Sequence, residues 1–231
     1  MRKYGSYKNI MYALEENNSE TLTIICSGIP GNRVDGRRVM VKISECTKKC
    51  SFLRFDITGM GLSSGKTSLI TYDRWANEVN SLIDYFSRDY RFINMICFSE
   101  SAKIIDKLNL NKINCVIVIN GIIAEEEIHG PYKPRVSKED GIWVVYTGFG
   151  VNLNLTLLNY KYKALQQTLL NNIDKFIYIY GNEDDLTICS RKFLADRMII
   201  YREIKGADHL FTNSNQVDSL IKIVGDIINE K

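Results

Sequence analysis

Hydrophobic positions along this chain of 231 residues fall into two patterns that alternate. Short apolar runs of strand length, TLTIICSG, SFLRFDI, RFINMICF, CVIVING, KFIYIYG and MIIYREI, are bounded by turn-forming or charged residues. Elsewhere apolar residues recur at helical spacing. Trp75, Val79, Leu82, Ile83 and Phe86 form one such stripe, and Val217, Leu220, Ile221, Val224, Ile227 and Ile228 form another near the C-terminus. The alternation predicts βα units, hence an α/β fold with a mostly parallel central sheet flanked by helices, and both stripes are expected to be core faces.

One stretch departs from this rhythm. Residues 122–174 carry acidic AEEEIHG, turn-rich GPYKP, aromatic IWVVYTGFG and an amphipathic segment with Leu158, Leu165 and Leu169. It is too long for a simple connection, so it reads as a cap inserted into a core formed by 1–121 and 175–231. In open α/β sheets ligands bind beyond the carboxyl ends of the strands. The cap is therefore expected either to line a substrate pocket or to be a few helices packed on one another.

Composition narrows the function. With 45% hydrophobic residues the chain can bury one large core, so a single domain spanning 1–231 is expected. The net charge of +3 is spread over 30 basic and 27 acidic residues without a basic block, which argues against a nucleic-acid partner. Neither a signal sequence in the first twenty residues nor a membrane-spanning run is legible, so a soluble, cytoplasmic protein without membrane insertion is expected. Six cysteines are too few for a disulfide scaffold; Cys26, Cys97, Cys115 and Cys189 lie in or beside apolar runs and are expected to be reduced core residues. Cys46 and Cys50 have no nearby His or second cysteine pair, so no metal site is expected.

The stretch FDITGMGLSSGKT, Phe55 to Thr67, resembles a phosphate-binding loop at first sight. Such a loop needs Gly, four residues, then Gly-Lys-Ser/Thr, so that successive amides curl around a phosphate. Counting back from Gly65, the position that should be Gly is Met60, with Gly59 and Gly61 each one residue out of register. The apolar runs CVIVING and FINMICFSE end in Gly and Ser-Glu, not in the Asp that would hold magnesium. A nucleotide-binding role is not supported.

Stronger candidates follow the strands. RFINMICF runs straight into Ser99-Glu100-Ser101-Ala102 and an apolar-striped segment, a strand, tight turn, helix sequence. A nucleophile at such a turn needs small residues two before and two after it. Around Ser99 these are Cys97 and Ser101; around Ser101 they are Ser99 and the bulky Lys103, so Ser99 is the preferred nucleophile. Two serines capping a helix would be the ordinary alternative. KFIYIY ends in Gly181-Asn182-Glu183-Asp184-Asp185, and the loop before the last helix holds Lys205-Gly206-Ala207-Asp208-His209. Ser, acid and His thus occur in this order past strand ends, where side chains can converge. The second histidine, His129, lies in the inserted segment and is expected at the surface.

These pieces together resemble the α/β-hydrolase family over nearly the whole chain. Ser27-Gly28-Ile29-Pro30-Gly31 resembles its His-Gly-x-Pro-Gly oxyanion loop, with Ser for His. Asp56-Ile57-Thr58-Gly59-Met60-Gly61-Leu62-Ser63 resembles its Asp-x-x-Gly-x-Gly-x-Ser loop, which makes the following Gly-Lys-Thr incidental. Gly181 to Asp184 matches the family's Gly-x-x-Asp motif and favours Asp184 over Asp185. Gly206-Ala207-Asp208-His209 matches the loop of the catalytic His. The elbow Ser-x-Ser-Ala followed by a basic residue is similar to that of bacterial bioluminescence acyl-carrier thioesterases, whose nucleophile is the first Ser. Length and cap position resemble lysophospholipase-like hydrolases.

The resemblance implies a serine hydrolase of carboxylic esters or acyl thioesters, small or carrier-bound. Catalysis would rest on Ser99, Asp184 and His209, with the amides of Ile29 and Glu100 as oxyanion hole and no cofactor. An acyltransferase with the same triad and a non-catalytic binding protein on this scaffold are the alternatives. The oligomeric state is not legible.

Overall fold

In the computed structural model residues 1–34, 38–125, 135–146 and 151–230 are described. His129, the whole GPYKP turn and the TGFG end of the aromatic run lie outside them. Along the chain run β1 (Arg2–Tyr7), β2 (Ile10–Glu15), β3 (Thr21–Cys26), α1 (Val39–Ile43), β4 (Ser51–Phe55), α2 (Tyr72–Phe86), β5 (Phe92–Phe98) and β6 (Cys115–Ile119). The inserted segment follows with β7 (Arg135–Glu139), β8 (Ile142–Tyr146), β9 (Asn152–Asn154) and α3 (Tyr162–Asn171). The chain returns to the core with β10 (Phe176–Gly181), α4 (Ile188–Ala195), β11 (Arg202–Ile204) and α5 (Ser214–Glu230).

Eight strands form the main sheet in the order β1-β2-β4-β3-β5-β6-β10-β11. From β4 to β11 neighbouring strands pair in parallel, with Ile25 opposite Ile96 and Cys26 opposite Cys97 at the centre, while β1 and β2 add antiparallel at one edge. Side chains alternate across a strand. On β3, Leu22, Ile24 and Cys26 enter one core with the α2 stripe, and Ile25 enters the other with the α5 stripe. Both helical stripes are core faces, as their spacing predicts. Each fully buried Leu, Ile, Val or Phe contributes about 1.5–3 kcal/mol of transfer free energy. Thr71 caps α2 by accepting from the Arg74 amide at 3.1 Å.

Several elements differ from the sequence reading. β1 is largely exposed and has no apolar alternation to announce it. The run MIIYREI yields a strand only over Arg202–Ile204, because it sits at the sheet edge; Met198 and Ile200 are 91% and 89% exposed. In the inserted segment the described part of the aromatic run, Ile142–Tyr146, is β8, the middle strand of an antiparallel sheet β7-β8-β9, and not part of a helical cluster. Leu165 and Leu169 are buried on α3, but Leu158 is exposed and Leu157 takes the inward position.

The Gly-Lys-Thr tripeptide is also not incidental. Thr67 Oγ1 donates to the Asn152 carbonyl at 2.7 Å, Asn154 Nδ2 donates to the Ser68 carbonyl at 2.9 Å, and Lys66 pairs with Asp140. The residues after the glycine loop therefore dock the second sheet. Among the described residues no helix is long and apolar enough to cross a membrane.

Candidate active site

The turn after β5 is built by backbone conformation. Phe98 is extended, and Ser99 enters the left-handed region at φ 57° before the chain winds into a 3₁₀ segment, Ser99–Lys107. A non-glycine residue with positive φ is strained, and the surrounding packing holds it. Cys97, Ser101 and Ala102, small as the turn demands, are all fully buried. Gly28 lets the loop after β3 approach: a Cβ there would stand 3.0 Å from Ser99 Cβ and 3.3 Å from the Phe98 carbonyl.

Ser99 Oγ lies 2.7 Å from His209 Nε2, and His209 Nδ1 lies 2.8 Å from Asp184 Oδ2. With a carboxylate on Nδ1 the ring proton belongs there, which leaves Nε2 to accept from the serine hydroxyl. Asp184 is fully buried and its Oδ1 accepts from the Leu186 amide at 2.9 Å, whereas Asp185 is exposed. The structure thus brings together the three residues singled out by their order in the chain. Ser101 is elsewhere engaged: its hydroxyl is 2.9 Å from the carbonyls of both Cys26 and Phe98. Lys103 fits its buried position because its ammonium sits among three tyrosine rings and pairs with Glu100.

Ile29 and Glu100 both line the cavity in front of Ser99. Glu100 is the second residue of its helical segment, where an amide has no intrahelical partner. The loop carrying Ile29 is braced from behind. The buried Asp56 carboxylate accepts from the amides of Arg33 at 2.7 Å and Leu62 at 2.9 Å and pairs with the Arg33 guanidinium. Gly61, at φ 53°, keeps this site open, since a Cβ would fall 2.3 Å from the same carboxylate. Arg54, also buried, donates to the Arg33 carbonyl at 2.6 Å and pairs with Glu15.

One residue of the site was missed by sequence reasoning. Asn120, fully buried at the end of β6, donates through Nδ2 to the carbonyls of Asp208 and His209 at 3.2 and 3.0 Å, and its Oδ1 accepts from the Gly181 amide at 2.8 Å. Its only signal is a polar residue closing an otherwise apolar run, CVIVIN.

The cavity measures about 370 Å³ and is lined chiefly by apolar residues, among them Ile29, Met40, Phe98, Leu186 and Leu210. Among the described residues the inserted segment contributes only Ile122 to the lining. Burial raises the thiol pKa of Cys46 and Cys50 to about 12 and about 11, which disfavours the thiolate a metal would need. Of the four cysteines expected in the core, Cys26, Cys97 and Cys115 are buried and Cys189 is only partly so.

No protein-family profile and no curated protein matches the chain. Solved structures do. Est1E from Butyrivibrio proteoclasticus, determined with ferulic acid bound, superposes with a TM-score of 0.76 at 18% identity over 99% of this chain and 98% of its own. Mouse alpha/beta hydrolase domain-containing protein 10 gives 0.68 at 16% identity over 100% and 99%. The thioesterase domain from the curacin biosynthetic pathway gives 0.63 at 10% over 97% and 98%. The chain thus shares the α/β-hydrolase fold of these structures, as the loop motifs imply.

Proposed function

We propose that this protein is a serine hydrolase of carboxylic esters or acyl thioesters, with Ser99 as nucleophile, His209 as general base and acid, and Asp184 as its orienting carboxylate. The observation that carries this reading is the unbroken chain of contacts from Ser99 Oγ through the imidazole to Asp184, at 2.7 and 2.8 Å, opening on an apolar cavity. A serine hydroxyl is a weak nucleophile at neutral pH. As Oγ attacks the carbonyl carbon its proton passes to Nε2, and Asp184 stabilises the resulting imidazolium. The oxyanion is met by the amides of Ile29 and Glu100, each worth roughly 3 kcal/mol in the transition state. Collapse expels the alcohol or thiol, which takes the proton from His209. Water then attacks the acyl-enzyme, giving its proton to His209, and Ser99 recovers it as the acid leaves.

The thioesterase name among the structural neighbours supports the same chemistry for this chain. A fluorophosphonate probe tests it. Wild-type protein should label, Ser99→Ala should not, and Ser101→Ala should label if it folds. Labelling that survives Ser99→Ala but is lost in Ser101→Ala would move the nucleophile, and no labelling of wild type would overturn the reading.

A further inference from the structure

A second cluster adjoins Ser99 and has no part in the steps above. Glu100 is the only Asp, Glu, Lys or Arg among the described residues lining the cavity. Its Oε1 accepts from Lys103 Nζ at 2.9 Å and from the Tyr72 hydroxyl. Lys103 is 8% exposed, a rare burial for an ammonium. It sits among three rings, 5.8, 5.6 and 5.3 Å from the centroids of Tyr72, Tyr160 and Tyr162. These rings come from two places. Tyr72 opens α2, while Tyr160 and Tyr162 belong to the inserted segment, and Tyr160 also donates to Asp106 at 3.1 Å.

The position of the carboxylate poses an electrostatic problem. The amide of Glu100 is one proposed oxyanion donor, yet the same residue, which lines the cavity next to Ser99, carries a carboxylate. In a poorly screened cavity like charges repel strongly. An ammonium held against that carboxylate by three ring faces cancels the charge and fixes the side chain.

We propose that Lys103 is a positioning residue for the reaction: gripped by Tyr72, Tyr160 and Tyr162, it neutralises and orients Glu100 so that the amide of Glu100 can receive the oxyanion. The proposal rests on the hydrolase reading above. It gives the inserted segment a role in the reaction, because two of its tyrosines set the charge balance next to the nucleophile. Burial opposes the charge on Lys103, but Glu100 and Tyr162 more than restore it, so its pKa lies above the ordinary lysine value and the ammonium persists.

The rate of fluorophosphonate labelling, with thermal unfolding as a check on folding, tests the pairing. Lys103→Met should slow labelling roughly 30-fold, less than the loss of a complete oxyanion donor. The double variant Lys103→Met/Glu100→Gln should return to within about threefold of wild type, because the charge needing neutralisation is gone. A single variant as fast as wild type, or a double variant as slow as the single one, would overturn the proposal in favour of simple packing. Should Lys103→Met fail to fold, Tyr162→Leu with and without Glu100→Gln makes the same comparison. Wild-type protein that does not label overturns the hydrolase reading, and this inference with it.

Discussion

Asn120 is tied to His209 across the top of the sheet: its side-chain amide donates to the His209 carbonyl at 3.0 Å while its oxygen holds the Gly181 amide at 2.8 Å. One buried side chain therefore sets the spacing between the loop of the imidazole and the strand leading to Asp184. Asn120→Ala should leave the Gly181 amide buried without a partner and cost about 2 kcal/mol in thermal or denaturant unfolding. Misplacement of His209 should slow probe labelling roughly 10- to 100-fold. Normal labelling in a folded variant would show that the loops are positioned without it.

Asp184→Asn makes a sharper test of the carboxylate. The Leu186 amide already donates to one oxygen of Asp184, so the Asn oxygen should stay there and its NH₂ should face His209 Nδ1. That forces the ring proton onto Nε2, where it cannot accept from Ser99. Labelling should fall by roughly 10³–10⁴-fold with the fold retained. A loss below tenfold would mean that Asp184 does not set the tautomer.

Asp208, next to His209, links the stability of this loop to pH. Partial burial pushes its pKa up, but the amides of Leu210 and Thr212 and the Thr212 hydroxyl outweigh that and hold it below the usual carboxylate value. A carboxyl depressed on folding contributes stability that is present above the unfolded pKa of about 3.9 and is lost as pH falls through the folded value. Asp208→Ala should be about 1 kcal/mol less stable than wild type near neutral pH, and the gap between the two should shrink as pH falls through the folded value. A gap unchanged by acid would refute the linkage.

The cavity predicts an uncharged, apolar acyl group. Nitrophenyl esters and acyl thioesters of graded length should show an optimum, with each methylene beyond the fit changing kcat/KM by about 10-fold or more. Met40 lines the wall and is buried. Met40→Phe should shift the optimum to shorter chains. An optimum unmoved by that substitution would put the acyl group elsewhere.

Much of the site is legible in sequence because strand ends are. A parallel strand buried on both faces must be apolar along its length, so the places where CVIVIN, KFIYIY and RFINMICF stop are visible, and the residues just beyond them are candidates. Ser99 and Asp184 stand in such places, whereas His209 follows the edge strand β11 and is marked by its Gly-Ala-Asp-His loop. Edge elements lack this signal: β1 is exposed and β11 needs only three paired residues, so apolarity neither announces the first nor delimits the second.

The strands β3 to β6, β10 and β11, the two helical stripes, the glycine loops and the candidate Ser, Asp and His followed from local pattern, since each depends on residues near one another in the chain. Their meeting did not. Ser99 and His209 are 110 residues apart, and only the folded sheet brings them within 2.7 Å while turning Ser101 toward backbone carbonyls. The clamp made by Asn120 and the tyrosines around Lys103 were likewise decided by tertiary packing. A buried polar side chain takes whichever partners the fold carries to it, and no pattern of neighbouring residues names them in advance.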